Sequence, residues 1–193
     1  MIKPWLFEFL PELGGPNVEP DPRDVAALFA RYLDLWARDE ALGFEGIFFS
    51  EHHFGRSYSA SPNLLIAAIA SRTEKLRLGV MEVVLPYYHP ARVVEEIGML
   101  DHLTGGRLEI GTAIGVPQEL IRLNMTMAEA RDRNDEIVAV LDAAWPIGLF
   151  PTAENISRFP MCAYYRGPCS NHRLRDGPPS SVRSPRGGPL DAG

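Results

Sequence analysis

The residues best suited to chemistry in this sequence lie together at Glu51-His52-His53-Phe54. Two imidazoles, which titrate near neutral pH, stand beside a carboxylate, a set suited to moving protons. The same three polar side chains could ligate a metal. Adjacent histidines on an extended chain point to opposite faces, however, and no further ligand pair at a usual spacing accompanies them. The plainest alternative is a pair of loop histidines with structural hydrogen bonds. Two other segments add weight. In Leu76-Arg77-Leu78-Gly79-Val80-Met81-Glu82-Val83-Val84-Leu85-Pro86, Glu82 is a charge inside an apolar run, or simply a solvent-facing strand residue. Gly111-Thr112-Ala113-Ile114-Gly115 has two glycines that would let a flat ligand approach the backbone, although the same spacing also suits a turn.

These residues need elements to position them. Ile2 to Leu10 reads as a strand, and Asp21-Pro22 as an N-cap and first helical residue. Val25, Leu28, Phe29, Tyr32, Leu35 and Trp36 follow at helical spacing until Gly43. Phe44 to Ser50 is a short apolar strand, and Ser61-Pro62 opens a second helix. Leu76 to Leu85 reads as a third strand, and His89-Pro90 opens a third helix that Gly105-Gly106 stops. Arg107 to Gly111 reads as a fourth strand. Thr126 and Glu129 form a capping box for a last helix reaching about Ala144. Four strand–helix alternations imply a parallel sheet with right-handed crossovers and ligands at the C-terminal strand ends. The pattern suits a doubly wound open sheet or a (β/α)8 barrel. No Gly-x-Gly-x-x-Gly follows the first strand, which weakens the dinucleotide-binding version of the former. A whole barrel takes about 250 residues, more than this stretch supplies.

Composition changes at Trp145. The 193-residue chain has a net charge of −6, made of −9 up to Trp145 and +3 beyond it. The last part holds 8 of the 17 prolines and 6 of the 17 glycines, and it follows neither strand nor helix periodicity. Residues 146–193 are therefore expected to be a disordered tail, separate from a domain at 1–145. Its charge is too sparse, and its aromatics too irregular, to suggest a nucleic-acid partner. No apolar run approaches a membrane span, and no signal-peptide pattern opens the chain. With only Cys162 and Cys169, a cytoplasmic location is the expectation.

One ordered set of motifs resembles a known family. It comprises Gly43-Phe44, Glu51-His52-His53-Phe54, Leu76-Arg77-Leu78-Gly79, Leu85-Pro86, His89-Pro90-Ala91-Arg92, Glu95, Leu100-Asp101 and Gly105-Gly106-Arg107-Leu108-Glu109-Ile110-Gly111. Residues 1–145 resemble the bacterial luciferase-like, flavin-dependent monooxygenases. The resemblance implies an α/β fold, an incomplete (β/α)8 TIM barrel of about four βα units. It implies reduced FMN, or a deazaflavin relative, at the C-terminal mouth, with O2 and a small organic substrate. A flavin reductase would supply the reduced flavin. His52 would be the acid/base residue, supported by His53 and Glu51. Met81, Glu82, Gly111, Ala113 and Ile114 would line the cofactor site, with a non-proline cis peptide at Met81-Glu82. Many relatives carry an arginine where Ala113-Ile114 stands, so a fixed cation beside the flavin is missing.

The resemblance also implies truncation after the fourth unit, with loss of the loops that commonly bind phosphate. Half a barrel would leave open strand edges and a bare inner face, and so is expected to be marginal alone or to need a homo- or hetero-oligomeric partner. Three functions stay open from the residues: flavin-dependent oxygenation, a non-catalytic remnant or binding subunit, and metal-dependent hydrolysis by His52, His53 and Glu51.

Overall fold

The computed structural model describes residues 2–14, 19–54 and 57–144. The expected tail therefore lies outside the described residues. Four strands, β1 (Trp5–Glu8), β2 (Gly46–Phe49), β3 (Arg77–Val84) and β4 (Leu108–Ala113), form one sheet in the order β1-β2-β3-β4. Each neighbouring pair is parallel. Helices α1 (Pro22–Asp39), α2 (Pro62–Ala70) and α3 (Pro90–Thr104) make the crossovers, and α4 (Pro117–Arg122) and α5 (Met127–Ala144) follow β4. Among the described residues this is four consecutive βα units of a (β/α)8 barrel, as the resemblance implied.

Helix starts follow from local sequence. Proline occupies an opening position of α1, α2, α3 and α4, where its missing N–H costs nothing. Asp21 caps α1 by accepting from Arg23 N at 2.8 Å. At α5 the capping box forms in both directions: Thr126 N donates to Glu129 Oε2 at 2.7 Å, and Glu129 N donates to Thr126 Oγ1 at 3.2 Å. Gly105 ends α3 at φ 64°, a left-handed conformation natural to glycine.

The strands are in step. Leu6, Ile47, Leu78 and Leu108 lie side by side, as do Glu8, Phe49, Val80 and Ile110. The apolar members of these rows belong to a core with Trp36, Ile66, Ile69, Ile97 and Leu141 from the helices. The alternate positions, Trp5, Phe7, Phe48 and Gly79, face the other way. There, the Trp5 and Phe48 rings stack at 4.7 Å. Glycine makes that stack possible: a Cβ on Gly46 would lie 2.3 Å from the Trp5 ring, and one on Gly79 would lie 2.6 Å from the Phe48 ring. The inner face is open, with Phe7 56% exposed, and β1 and β4 have no outer neighbour among the described residues.

Strand limits differ from the sequence reading. β1 is shorter than Ile2–Leu10 because β2 offers partners only from Gly46, and Leu10 turns away at φ 44°. β2 is likewise shorter than Phe44–Ser50. β4 runs two residues past Gly111, pairing Thr112 with Val83 and Ala113 with Val84. The six-residue α4 was not expected at all.

Candidate functional site

The sheet's C-terminal end gathers the site. Past β2, Ser50 N still donates to Glu8 O at 3.0 Å, and His52 N donates to Ser59 O at 3.1 Å. Ser59 Oγ closes the loop by donating to Ser50 O. The segment Glu51-His52-His53 is thus held by these bonds before its own side chains act.

Glu51 is buried, its side chain 1% exposed, yet it is well supplied with donors. Its Oε1 receives Tyr88 O–H at 2.8 Å and faces His53 Nε2 at 2.7 Å. Its Oε2 receives Val84 N–H at 3.2 Å. A buried carboxylate is tolerable when its oxygens are satisfied in this way. The Val84 bond also ties the histidine segment to the end of β3.

Glu119, on α4, forms the second anchor and was not singled out in the sequence. Its Oε1 receives His53 N–H at 3.0 Å and faces His52 Nδ1 at 3.4 Å. Its Oε2 receives Tyr87 O–H at 3.3 Å. Burial of Leu120, Met125 and Ala130 in a small second core, with Tyr87 packed against it, sets α4 in place. The signal that could have revealed Glu119 is Pro117, the same helix-opening proline that marks the other three crossover starts.

Burial, reinforced by Glu51, raises the Tyr88 phenol well above its ordinary range. Burial, reinforced by Glu119, does the same to Tyr87. Both hydroxyls therefore keep their protons and act as donors to the carboxylates. The His52 ring packs on Phe9 at 4.5 Å, and the His53 ring meets Tyr87 edge-on at 4.9 Å. His53 is largely buried, and His52 is the more open of the two, its side chain 32% exposed.

The cofactor-site candidates fall on β3 and β4. Three steps along β3, Val80 to Val83, match two along β4, Ile110 to Thr112, so β3 bulges. Met81-Glu82 lies in that bulge and is a non-proline cis peptide, as the resemblance implied. Both residues are exposed, Met81 at 47%. Gly111 lies against the bulge: a Cβ there would be 3.3 Å from Val80 O and 3.4 Å from Glu82 Cγ. Ala113 and Ile114 are half-buried just beyond. The structure thus brings His52, His53 and Glu51 into one network, and Met81, Glu82 and Gly111 into a second cluster. The Glu51–Val84 bond links the two. No group of three or more His, Cys, Asp or Glu able to hold a metal occurs among the described residues. The two imidazoles are engaged by different carboxylates instead.

The bulged, exposed segment of β3 and the histidine segment after β2 thus meet at the C-terminal rim of the parallel sheet, where (β/α) folds bind their ligands. The family profile for luciferase-like monooxygenases matches residues 15–175, and the chain belongs to that family. The match runs past residue 145, where the motif resemblance ended. An alkanal monooxygenase alpha chain from Photobacterium leiognathi is 32% identical over 152 residues, covering 77% of this chain and 43% of that one. The solved monooxygenase RslO1 from Streptomyces bottropensis superposes with a TM-score of 0.63 at 30% identity, over 75% of this chain and 43% of that one. The oxygenating constituent of 3,6-diketocamphane monooxygenase from Pseudomonas putida, solved with FMN, superposes with a TM-score of 0.65 at 23% identity, over 75% and 40%. The chain spans less than half the length of these relatives.

Proposed function

We propose that this chain carries the histidine half of a flavin-dependent monooxygenase site, holding reduced FMN or a deazaflavin relative at the sheet's C-terminal rim. The residues fit a flat aromatic group. Met81 offers an exposed apolar surface, and Phe9, 47% exposed, stacks beside His52. Gly111 presents no side chain toward the bulge. Met81, Glu82, Gly111, Ala113 and Ile114 would bind the ring system. Bound reduced flavin supplies the electrons that activate O2 for transfer to a small organic substrate. His52 would accept or return the proton at the reacting centre, while Glu51 and His53 hold the segment rigid. Phe9 and Met81 would keep water from the reaction.

One observation carries this reading: in a rim network built on two buried carboxylates, His52 is the more open imidazole, its side chain 32% exposed against 20% for His53. A flavin reductase fits as the source of reduced flavin, as two relatives are monooxygenase components by name. No helix among the described residues is long and apolar enough to cross a membrane. The open inner face, with Phe7 exposed, also favours a second reading in which the chain is a binding subunit of a homo- or hetero-oligomer. The test is anaerobic titration with reduced FMN and with a reduced deazaflavin, followed by oxygen and product analysis with aldehyde or ketone substrates. Binding with oxygenated product supports an enzyme, and binding without product supports the subunit reading. No binding of either cofactor refutes the flavin site.

A further inference from the structure

We propose that Glu119 is a positioning residue that holds His52 as its Nδ1–H tautomer, while Glu51 holds the adjacent His53 as the opposite, Nε2–H tautomer. The argument rests on what each carboxylate oxygen already receives. Glu119 Oε1 accepts His53 N–H at 3.0 Å, and Oε2 accepts Tyr87 O–H at 3.3 Å. An oxygen placed as an acceptor can face a ring nitrogen favourably only if that nitrogen carries hydrogen. His52 Nδ1, 3.4 Å from Glu119 Oε1, is therefore the protonated nitrogen. Its Nε2 then keeps the lone pair and makes no hydrogen bond to a described residue. Glu51 Oε1 accepts Tyr88 O–H at 2.8 Å and faces His53 Nε2 at 2.7 Å, so there Nε2 bears the hydrogen.

Two neighbouring imidazoles are thus locked in opposite senses by carboxylates from different elements. The consequence is a division of labour: His52 presents a bare nitrogen for accepting a proton, whereas His53 is committed to the frame. Glu119 touches no reacting atom in this scheme and acts only through His52. The catalytic consequence rests on the proposed function, but the tautomers stand on geometry alone.

The experiment is nitrogen-15 NMR of histidine-labelled full chain, without flavin, at a pH where imidazoles are neutral. In the unaltered protein, His52 should show Nδ1–H and His53 should show Nε2–H. Glu119→Gln keeps one oxygen, which the His53 N–H fixes toward His52, and should leave both tautomers as they were, whereas Glu119→Leu removes the acceptor and should release His52 from the Nδ1–H form while His53 stays as it was. In a chain that turns over, the leucine change should lower turnover by about 10²-fold or more, with reduced-flavin affinity within about threefold of the parent. An Nε2–H form of His52 in the unaltered protein, or an unmoved His52 in Glu119→Leu, overturns the assignment. Should that variant not fold, the tautomers of the unaltered protein decide alone. A chain that binds no flavin yet shows the paired tautomers removes the proposed function and leaves this inference standing; flavin binding with the reverse tautomer does the opposite.

Discussion

Replacing Glu51 by leucine should destabilise the chain more than its single position suggests. The carboxylate it removes satisfies Val84 N–H, Tyr88 O–H and His53 Nε2 at 3.2, 2.8 and 2.7 Å. A buried donor left without a partner costs about 1–3 kcal/mol. Val84 is buried at 5% exposure and cannot recover a bond to water; Tyr88 is partly covered, and His53 can turn part-way to solvent. Those three losses come to about 4–6 kcal/mol. Leucine regains about 2 kcal/mol by relieving the carboxylate's desolvation and adding apolar burial. The net expectation is a loss of about 2–4 kcal/mol, or a urea midpoint lower by about 1–2 M at unchanged slope. Glu51→Gln keeps the shape and one acceptor and should lose about half as much. Equilibrium urea unfolding followed by tryptophan fluorescence reads both, since Trp36 is buried in the same core. A Glu51→Leu protein as stable as its parent would show that Glu51 does not organise the rim.

Gly46→Ala places a methyl 2.3 Å from the Trp5 ring and should cost about 1–3 kcal/mol, with a visible change in the near-ultraviolet dichroism of the Trp5–Phe48 stack. The raised Tyr87 and Tyr88 phenols make native protein hold protons that unfolded chain has released. Their contribution to stability is therefore complete below the ordinary tyrosine range and is lost as pH rises above about 10. Urea midpoints across that range should fall, and Tyr88→Phe should shallow the fall; a parent midpoint indifferent to alkaline pH would contradict the burial argument. His52→Ala should lower oxygenation by about 10²–10⁴-fold while reduced-flavin binding survives, and unchanged turnover would remove His52 from the reaction.

Much of the architecture was legible because its signals are local. Proline at the opening of α1, α2 and α3, the Thr126–Glu129 box and the left-handed Gly105 each mark a boundary within a few residues. Strand ends were less legible, since a strand stops where its neighbour stops, and Ile2 and Leu10 say nothing about where β2 begins. The histidine segment stood out by residue type, and the Met81-Glu82 position by resemblance. Glu119, Tyr87 and Tyr88 did not stand out. Glu119 lies on a helix that the sequence reading did not expect, and its meeting with His52 spans 67 positions. Tyr87 and Tyr88 fall between the third strand and the third helix, where no pattern singled them out. Their roles come from a tertiary approach that no local pattern encodes.

That long span bears on how the protein is made. A chain grows from its N-terminus, so residues 51–53 leave the ribosome well before α4 does. Until residue 119 emerges, the His53 amide and the Tyr87 hydroxyl lack their acceptor, and His52 Nδ1 lacks its carboxylate. Nascent chains halted after β3 would carry both histidines and still lack an ordered rim. The geometry around the two histidines thus matures only once the fourth unit has docked.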